Sequence, residues 1–292
     1  MATLTPRVEA WRREGAVERV AGRELWVRRS PGEGPLLLFL HGFPSSSYDW
    51  RRLLELEPSW SSLAFDFLGF GLSEKPRGRD YSLFEQADLA EALVGRRDGP
   101  VIAIGHDMGT SVATELMARD LEGRLGFALA GVLLFNGSMV AELASLTLGQ
   151  KLLLSRAGPV LARLGSRRFF VQQLASVFSD EHPLSAEEAE DQWSLLCAGG
   201  GRTLGHHQVA YYRERIEHAE RWHGALRDWP GELHYAWGLR DPVATPVMLR
   251  AVRDLRPTAT VTELPELGHY PQVEEPEAIA GATRRLIEST RE

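Results

Sequence analysis

The stretch Val101-Ile102-Ala103-Ile104-Gly105-His106-Asp107-Met108-Gly109-Thr110 decides the fold of this chain. Four apolar residues in a row fit a strand buried on both faces, as in a parallel sheet. The run stops at Gly105, glycines bracket a short polar segment, and helix-compatible sequence continues from Gly109 to about Ala118. The order is strand, turn, helix in the G-x-S-x-G pattern, with Asp107 where that pattern has serine. Glycine at 105 and 109 removes the β-carbons that would block a sharp turn and a close helix. A helix N-terminus behind Asp107 favours a negative side chain there. Taken alone, the segment also reads as a helix cap on an ordinary loop.

Outward from this stretch the apolar pattern recurs at residues 35–40, 63–67 and 132–135, and residues 24–29 form a further strand after a turn at Ala21-Gly22. A helix is predicted from Ser82, with Glu85 completing a capping box. Its apolar positions Leu83, Ala87, Ala90 and Leu93 follow helical spacing. Alternating strands and helices predict an α/β fold with a mostly parallel central sheet flanked by helices. After Asn136-Gly137 no buried strand is evident until Leu233–Trp237; the interval reads as helices broken at Gly158-Pro159, His182-Pro183 and Gly199-Gly200-Gly201. A last strand is expected at 260–264 and a last helix from Pro276. The expected organisation is a core of residues 1–137 and 227–292 with a helical cap inserted at 138–226.

Bulk properties narrow the function. A chain of 292 residues buries a large core, roughly 75% of its unfolded surface. The net charge is −7 with both signs mixed, and without a basic stripe nucleic acid is not an expected partner. A single cysteine, Cys197, excludes an intrachain disulfide and fits a reducing compartment. The first residues lack the apolar run of a signal peptide, and no stretch reaches the ~18 apolar residues that span a bilayer. The expectation is a cytoplasmic protein with no membrane, metal or cofactor partner.

Two further segments bear on chemistry. His41-Gly42-Phe43-Pro44 directly follows the run 35–40, where a loop can offer a backbone N–H to a developing oxyanion. Phe43 is assigned that donor and Met108 the second; the plain alternative is a Gly-Pro turn with a core phenylalanine. Near the C-terminus, Gly268-His269-Tyr270 follows the last strand, and Trp237-Gly238-Leu239-Arg240-Asp241-Pro242 follows the one before. Asp107, Asp241 and His269 therefore stand in the chain order nucleophile, acid, histidine. Asn136 also ends a strand, but asparagine cannot balance an imidazolium charge, so Asp241 is preferred. Asp66, in Asp-Phe-Leu-Gly-Phe-Gly, is read as shaping a loop.

The segments His41–Pro44, Asp66–Gly71, Gly105–Gly109, Asp241-Pro242 and Gly268–Pro271 resemble the epoxide-hydrolase-like branch of the α/β-hydrolases. The resemblance spans about residues 20 to 290 and is especially to bacterial relatives of the mesoderm-specific-transcript proteins. It implies an aspartate nucleophile and a substrate that is a small, apolar epoxide.

A carboxylate attacking an ester would give an anhydride, a poor intermediate. Attack on saturated carbon gives an alkyl ester instead, which water activated by His269 and Asp241 hydrolyses. An epoxide oxygen leaves as an alkoxide and needs an acidic donor, which in this family is usually a tyrosine of the cap. Tyr211 and Tyr212 point about 100° apart on a helix, and similarity in the following segment to Trp222 favours Tyr211. Such enzymes often use two cap tyrosines. A second, well-separated one is missing here, leaving His207, Gln172 or His182 as substitutes and Tyr212 and Trp193 as further substrate contacts. His207 and Tyr211, four residues apart, are expected to share a helix face. The rival is a haloalkane dehalogenase, which resembles this chain but carries tryptophan after the nucleophile and often asparagine at the position of Phe43. Fluoroacetate dehalogenases carry arginine after the nucleophile; here that residue is Met108. A third reading is a catalytically silent ligand-binding protein, against which the intact Asp107, Asp241 and His269 weigh.

Overall fold

A computed structural model describes residues 3–291. The strands are β1 (Ala16–Val20), β2 (Arg23–Ser30), β3 (Glu33–Leu40), β4 (Trp60–Phe65), β5 (Pro100–His106), β6 (Ala128–Phe135), β7 (Glu232–Gly238) and β8 (Thr260–Leu264). They form one sheet in the order β1-β2-β4-β3-β5-β6-β7-β8. The pairs β1–β2 and β2–β4 are antiparallel and the rest are parallel. This is the mostly parallel α/β sheet anticipated from the apolar runs.

Those runs are continuous because alternate residues feed different layers. In β3, Leu36, Leu38 and Leu40 join a core under helices Leu83–Val94 and Met108–Leu121, while Leu37 and Phe39 join the opposite core under helix Pro276–Ser289. In β5, Val101 and Ala103 face the first side and Ile102 and Ile104 the second. Register aligns the C-terminal ends, pairing Leu40 with Gly105 and His106 with Phe135. The loops carrying His41, Asp107 and Asn136 therefore leave the sheet side by side, at the end where such sheets bind ligands.

Some local features differ from expectation. Strand β1 and helix Pro6–Arg13 were not anticipated; β1 is largely exposed and half polar, so it lacks the apolar signature. Ser82 caps its helix by accepting from the Phe84 N–H at 3.2 Å. Glu85 instead pairs with Arg23 and Arg79, so the capping box does not form. The break expected at Gly158-Pro159 falls just before it: one helix ends at Leu154 and the next, Gly158–Leu164, opens on this pair, since proline is favourable in a first turn.

Helices fill the interval between β6 and β7. The last, Ala219–Asp228, packs on Met108–Leu121 through Trp222 Nε1 and Arg221, which donate to Glu115 at 3.0 and 2.8 Å. The boundary expected at 226 thus falls inside a helix of the core layer. Elsewhere the insert is pinned by Tyr48 donating to Asp191 (2.7 Å) and Gln192 to Asp49 (2.8 Å). Among the described residues no helix is long and apolar enough to cross a membrane.

Candidate active site

Asp107 sits between β5 and the helix Met108–Leu121 with φ 44° and ψ −107°. This conformation costs a non-glycine residue on the order of 1–3 kcal/mol. Its neighbours enforce it. A β-carbon at Gly109 would lie 2.0 Å from the Leu40 carbonyl oxygen, and one at Gly105 would lie 2.7 Å from that of Gly109. The Asp107 carbonyl accepts from Thr110 N–H at 3.1 Å and Thr110 Oγ1 at 2.6 Å. The Phe43 N–H donates to Asp107 Oδ2 at 2.9 Å. Met108 N–H opens the helix, where first-turn amides have no intrahelical acceptor.

His269 follows β8 and Asp241 follows β7. His269 Nδ1 lies 2.7 Å from Asp241 Oδ2, which also accepts from Asn136 Nδ2 at 2.8 Å. Asp241 Oδ1 accepts from the Val243 and Ala244 N–H groups at 2.7 and 3.1 Å. Four donors converge on this carboxyl group, and its acceptance from His269 places the imidazole proton on Nδ1. His269 Nε2 makes no hydrogen bond to the described residues. Burial disfavours the imidazolium, yet the Asp241 charge and hydrogen bond, with Asp107 nearby, together hold the pKa above its usual 6.5. Asn136, at φ 46°, also accepts from the Gly238 N–H at 3.0 Å. Its side chain thus bonds both Asp241 and the Gly238 amide.

The other two histidines at this edge stay neutral. Phe67 N–H donates to His41 Nε2, whose Nδ1 faces the Gly42 carbonyl, and burial pushes it down to about 3. His106 Nε2 faces the His269 carbonyl at 2.7 Å and its Nδ1 faces Gln272; burial holds it well below 6.5.

A cavity of about 340 Å³ opens among the insert helices, with walls that include Leu153, Phe169, Phe170 and Trp193. At its base lie Phe43, His269 and Tyr270. Asp107 and Tyr211 are not in the wall. Phe43, bonded to the Asp107 carboxylate through its N–H, has its ring 6.0 Å from that of the buried Tyr211. Gln150 stands beside the Tyr211 hydroxyl and also lines the cavity.

The remaining residues singled out from sequence separate. Trp193 lines the cavity and packs on Phe170 at 5.6 Å. Tyr212 turns away, donating to the Ala141 carbonyl at 2.9 Å. His207 pairs with Asp80 at 2.7 Å in a different cleft, because the helix Gly205–Gln208 ends before Tyr211–Glu217 begins. The shared face expected for His207 and Tyr211 is therefore absent. Gln172 is exposed, and Gln173, one residue along the same helix, lines the cavity instead. His182 bonds Ser179.

Arg215 was missed. It is buried, donates from Nη2 to the Asp107 carbonyl (2.7 Å) and from Nε to Ser111 Oγ (2.8 Å), and lies over the Tyr211 ring. An arginine in Arg213-Glu214-Arg215 carries no sequence signal separating it from a solvated helix face. Among the described residues no group of three or more His, Cys, Asp or Glu is placed to hold a metal ion.

Comparison with known proteins bears on the fold and the family. The model of the "Alpha/beta hydrolase family" matches residues 37–282. LipZ of Mycobacterium tuberculosis strain H37Rv, named as a hydrolase, is 51% identical over 97% of this chain and 99% of its own length. The human mesoderm-specific transcript homolog protein is 33% identical over 98% of this chain and 89% of its own. An α/β-hydrolase-fold protein from Burkholderia ambifaria superposes with a TM-score of 0.76 at 24% identity, covering 92% of this chain and 96% of that one. With this sheet, this strained turn and these relatives, the chain belongs to the alpha/beta hydrolase family and is a hydrolase.

Proposed function

We propose that the protein hydrolyses small apolar epoxides to vicinal diols through a covalent ester on Asp107. The observation that carries the reading is a carboxylate, not a hydroxyl, at the strained turn, with one oxygen on the Phe43 amide and the His269–Asp241 pair alongside. A carboxylate suits displacement at saturated carbon. The apolar walls of the cavity favour an apolar substrate, and the helical insert would act as its cap.

Asp107 Oδ1 forms a bond to an epoxide carbon while the carbon–oxygen bond of the ring breaks. Tyr211 gives the leaving oxygen its proton; burial and the Asp107 charge push this phenol up, so it is protonated at neutral pH. Alkylation removes the Asp107 charge that helps hold a proton on His269, which prepares His269 to act as a base. Water, deprotonated at His269 Nε2, adds to the Asp107 carboxyl carbon. The oxyanion on Oδ2 faces the Phe43 and Met108 N–H groups, each such donor being worth about 3 kcal/mol of barrier. Collapse breaks the bond between the carboxyl carbon and Oδ1; the departing oxygen takes the proton held on His269, the carboxyl group's proton returns to the Tyr211 phenolate, and the diol leaves carrying Oδ1. Met108 and Phe43 offer no side-chain N–H to a departing halide, which favours the epoxide over the haloalkane.

Multiple turnover of styrene oxide in ¹⁸O-water, with a chloroalkane in parallel, tests the reading. Diol formation with label entering Asp107 is expected. Chloride release without diol would select the dehalogenase, and the absence of both products would overturn the epoxide reading.

A further inference from the structure

We propose that Arg215 is the positioning residue of the nucleophile, a clamp from the helical insert that sets which Asp107 oxygen attacks. The inference rests on the ester mechanism above. The guanidinium is buried, with 2% of its side chain exposed. Its Nη2 donates to the Asp107 backbone carbonyl at 2.7 Å and lies 3.6 Å from Asp107 Oδ1; its Nε donates to Ser111 Oγ one turn along the elbow helix, at 2.8 Å. Among the described residues Asp107 is the only carboxylate within 4 Å of it.

Three consequences follow from that placement. A buried cation requires compensation, and here the nearest anion is the nucleophile. The fork spans the strained residue and the first turn of the helix behind it, so it braces the left-handed turn from the insert side, where Thr110 braces it from within the helix. With Oδ2 taken by the Phe43 N–H and the cation beside Oδ1, the two oxygens are no longer equivalent. Oδ1 is the one free to form the bond to carbon and to leave with the diol, and the fork's bonds to the Asp107 carbonyl and Ser111 fix the residue that carries it. A lysine lacks the planar fork and cannot hold both contacts at once.

The test measures the single-turnover rate of ester formation from styrene oxide in a His269→Gln background, by intact mass, with and without Arg215→Met, Arg215→Lys or Ser111→Ala. Misplacing a nucleophile by about 1 Å costs on the order of 100-fold, and that loss is expected for Arg215→Met, in the single-turnover rate at saturating substrate rather than in the half-saturating concentration, with partial recovery in Arg215→Lys. Ser111→Ala, which keeps the charge and loses one contact, is expected to slow ester formation less than Arg215→Met, and it tests the clamp if Arg215→Met does not fold. Ester formation unchanged in folded Arg215→Met, or in Ser111→Ala where Arg215→Met does not fold, overturns the clamp. No ester even with Arg215 intact instead overturns the underlying mechanism.

Discussion

Asp241→Asn separates the two halves of the reaction. The carboxylate accepts four hydrogen bonds, from His269, Asn136, Val243 and Ala244 at 2.7, 2.8, 2.7 and 3.1 Å. A carboxamide has one accepting oxygen and one donating nitrogen. Turning its oxygen to the two backbone N–H groups sets its NH₂ against Asn136 Nδ2 and His269 Nδ1; Asn136 keeps the Gly238 and Gly268 carbonyls at 3.2 and 3.3 Å, so His269 Nδ1 is the buried donor left stranded. At about 1–3 kcal/mol and about 2 °C per kcal/mol for a chain this large, Tm falls by about 2–6 °C. His269 relieves part of this by moving its proton to Nε2, the atom that must take one from water. In serine triads that wrong tautomer costs on the order of 10⁴ in kcat, or about 5.4 kcal/mol. Asp107 is untouched, so ester formation continues and hydrolysis stalls. Rapid quenching followed by intact mass should show the ester as the dominant species within the first turnover. A variant turning over within tenfold of the parent, or one that stalls with no ester, would refute the assignment of Asp241.

Three further outcomes are expected. Tyr211→Phe removes the proton donor and should slow ring opening by 10²–10⁴, in the range of general acid catalysis; an unchanged single-turnover rate excludes Tyr211. NMR titration of the free enzyme should place His269 above 6.5, because Asp241 and Asp107 favour its charged form. Since the ester lacks the Asp107 charge, hydrolysis of the ester in the parent enzyme should lose activity at a lower pH than that titration; coincidence of the two would count against the sequence of steps. Burial raises Asp49 from its usual 3.8 to about 7 despite its bonds to Ser45 and Gln192. The native state then binds the proton more tightly, so stability falls as pH rises between about 4 and 7, by at most about 1.4 kcal/mol per pH unit. The Tm advantage of Asp49→Asn over the parent should therefore grow from pH 4 to pH 8, and a difference independent of pH would show that the carboxyl is not held this way.

Much of the architecture was legible because strands buried on both faces are apolar throughout. Leu36–Leu40 and Val101–Ile104 serve both cores, and the residues that follow such strands, 41–43, 107, 241 and 269, gather at one edge. Strand β1 was not legible because it is short, interrupted by Glu18 and Arg19, and mostly exposed. The insert was the hardest part. Whether Gln172 or Gln173 faces the cavity is a question of helix phase, and a break near Val209 separates His207 from Tyr211. Asn136 and Arg215 are polar residues whose importance lies in what they touch across the chain, 105 and 108 residues away. Periodicity carries no information about contacts of that separation.

A covalent ester on Asp107 is tested most directly by incubating His269→Gln with styrene oxide and mapping the adduct by peptide mass. The expected result is one equivalent of substrate on the peptide containing Asp107, formed rapidly and not released, and absent in Asp107→Ala/His269→Gln. Diol production without any adduct, or an adduct that survives the loss of Asp107, would contradict it.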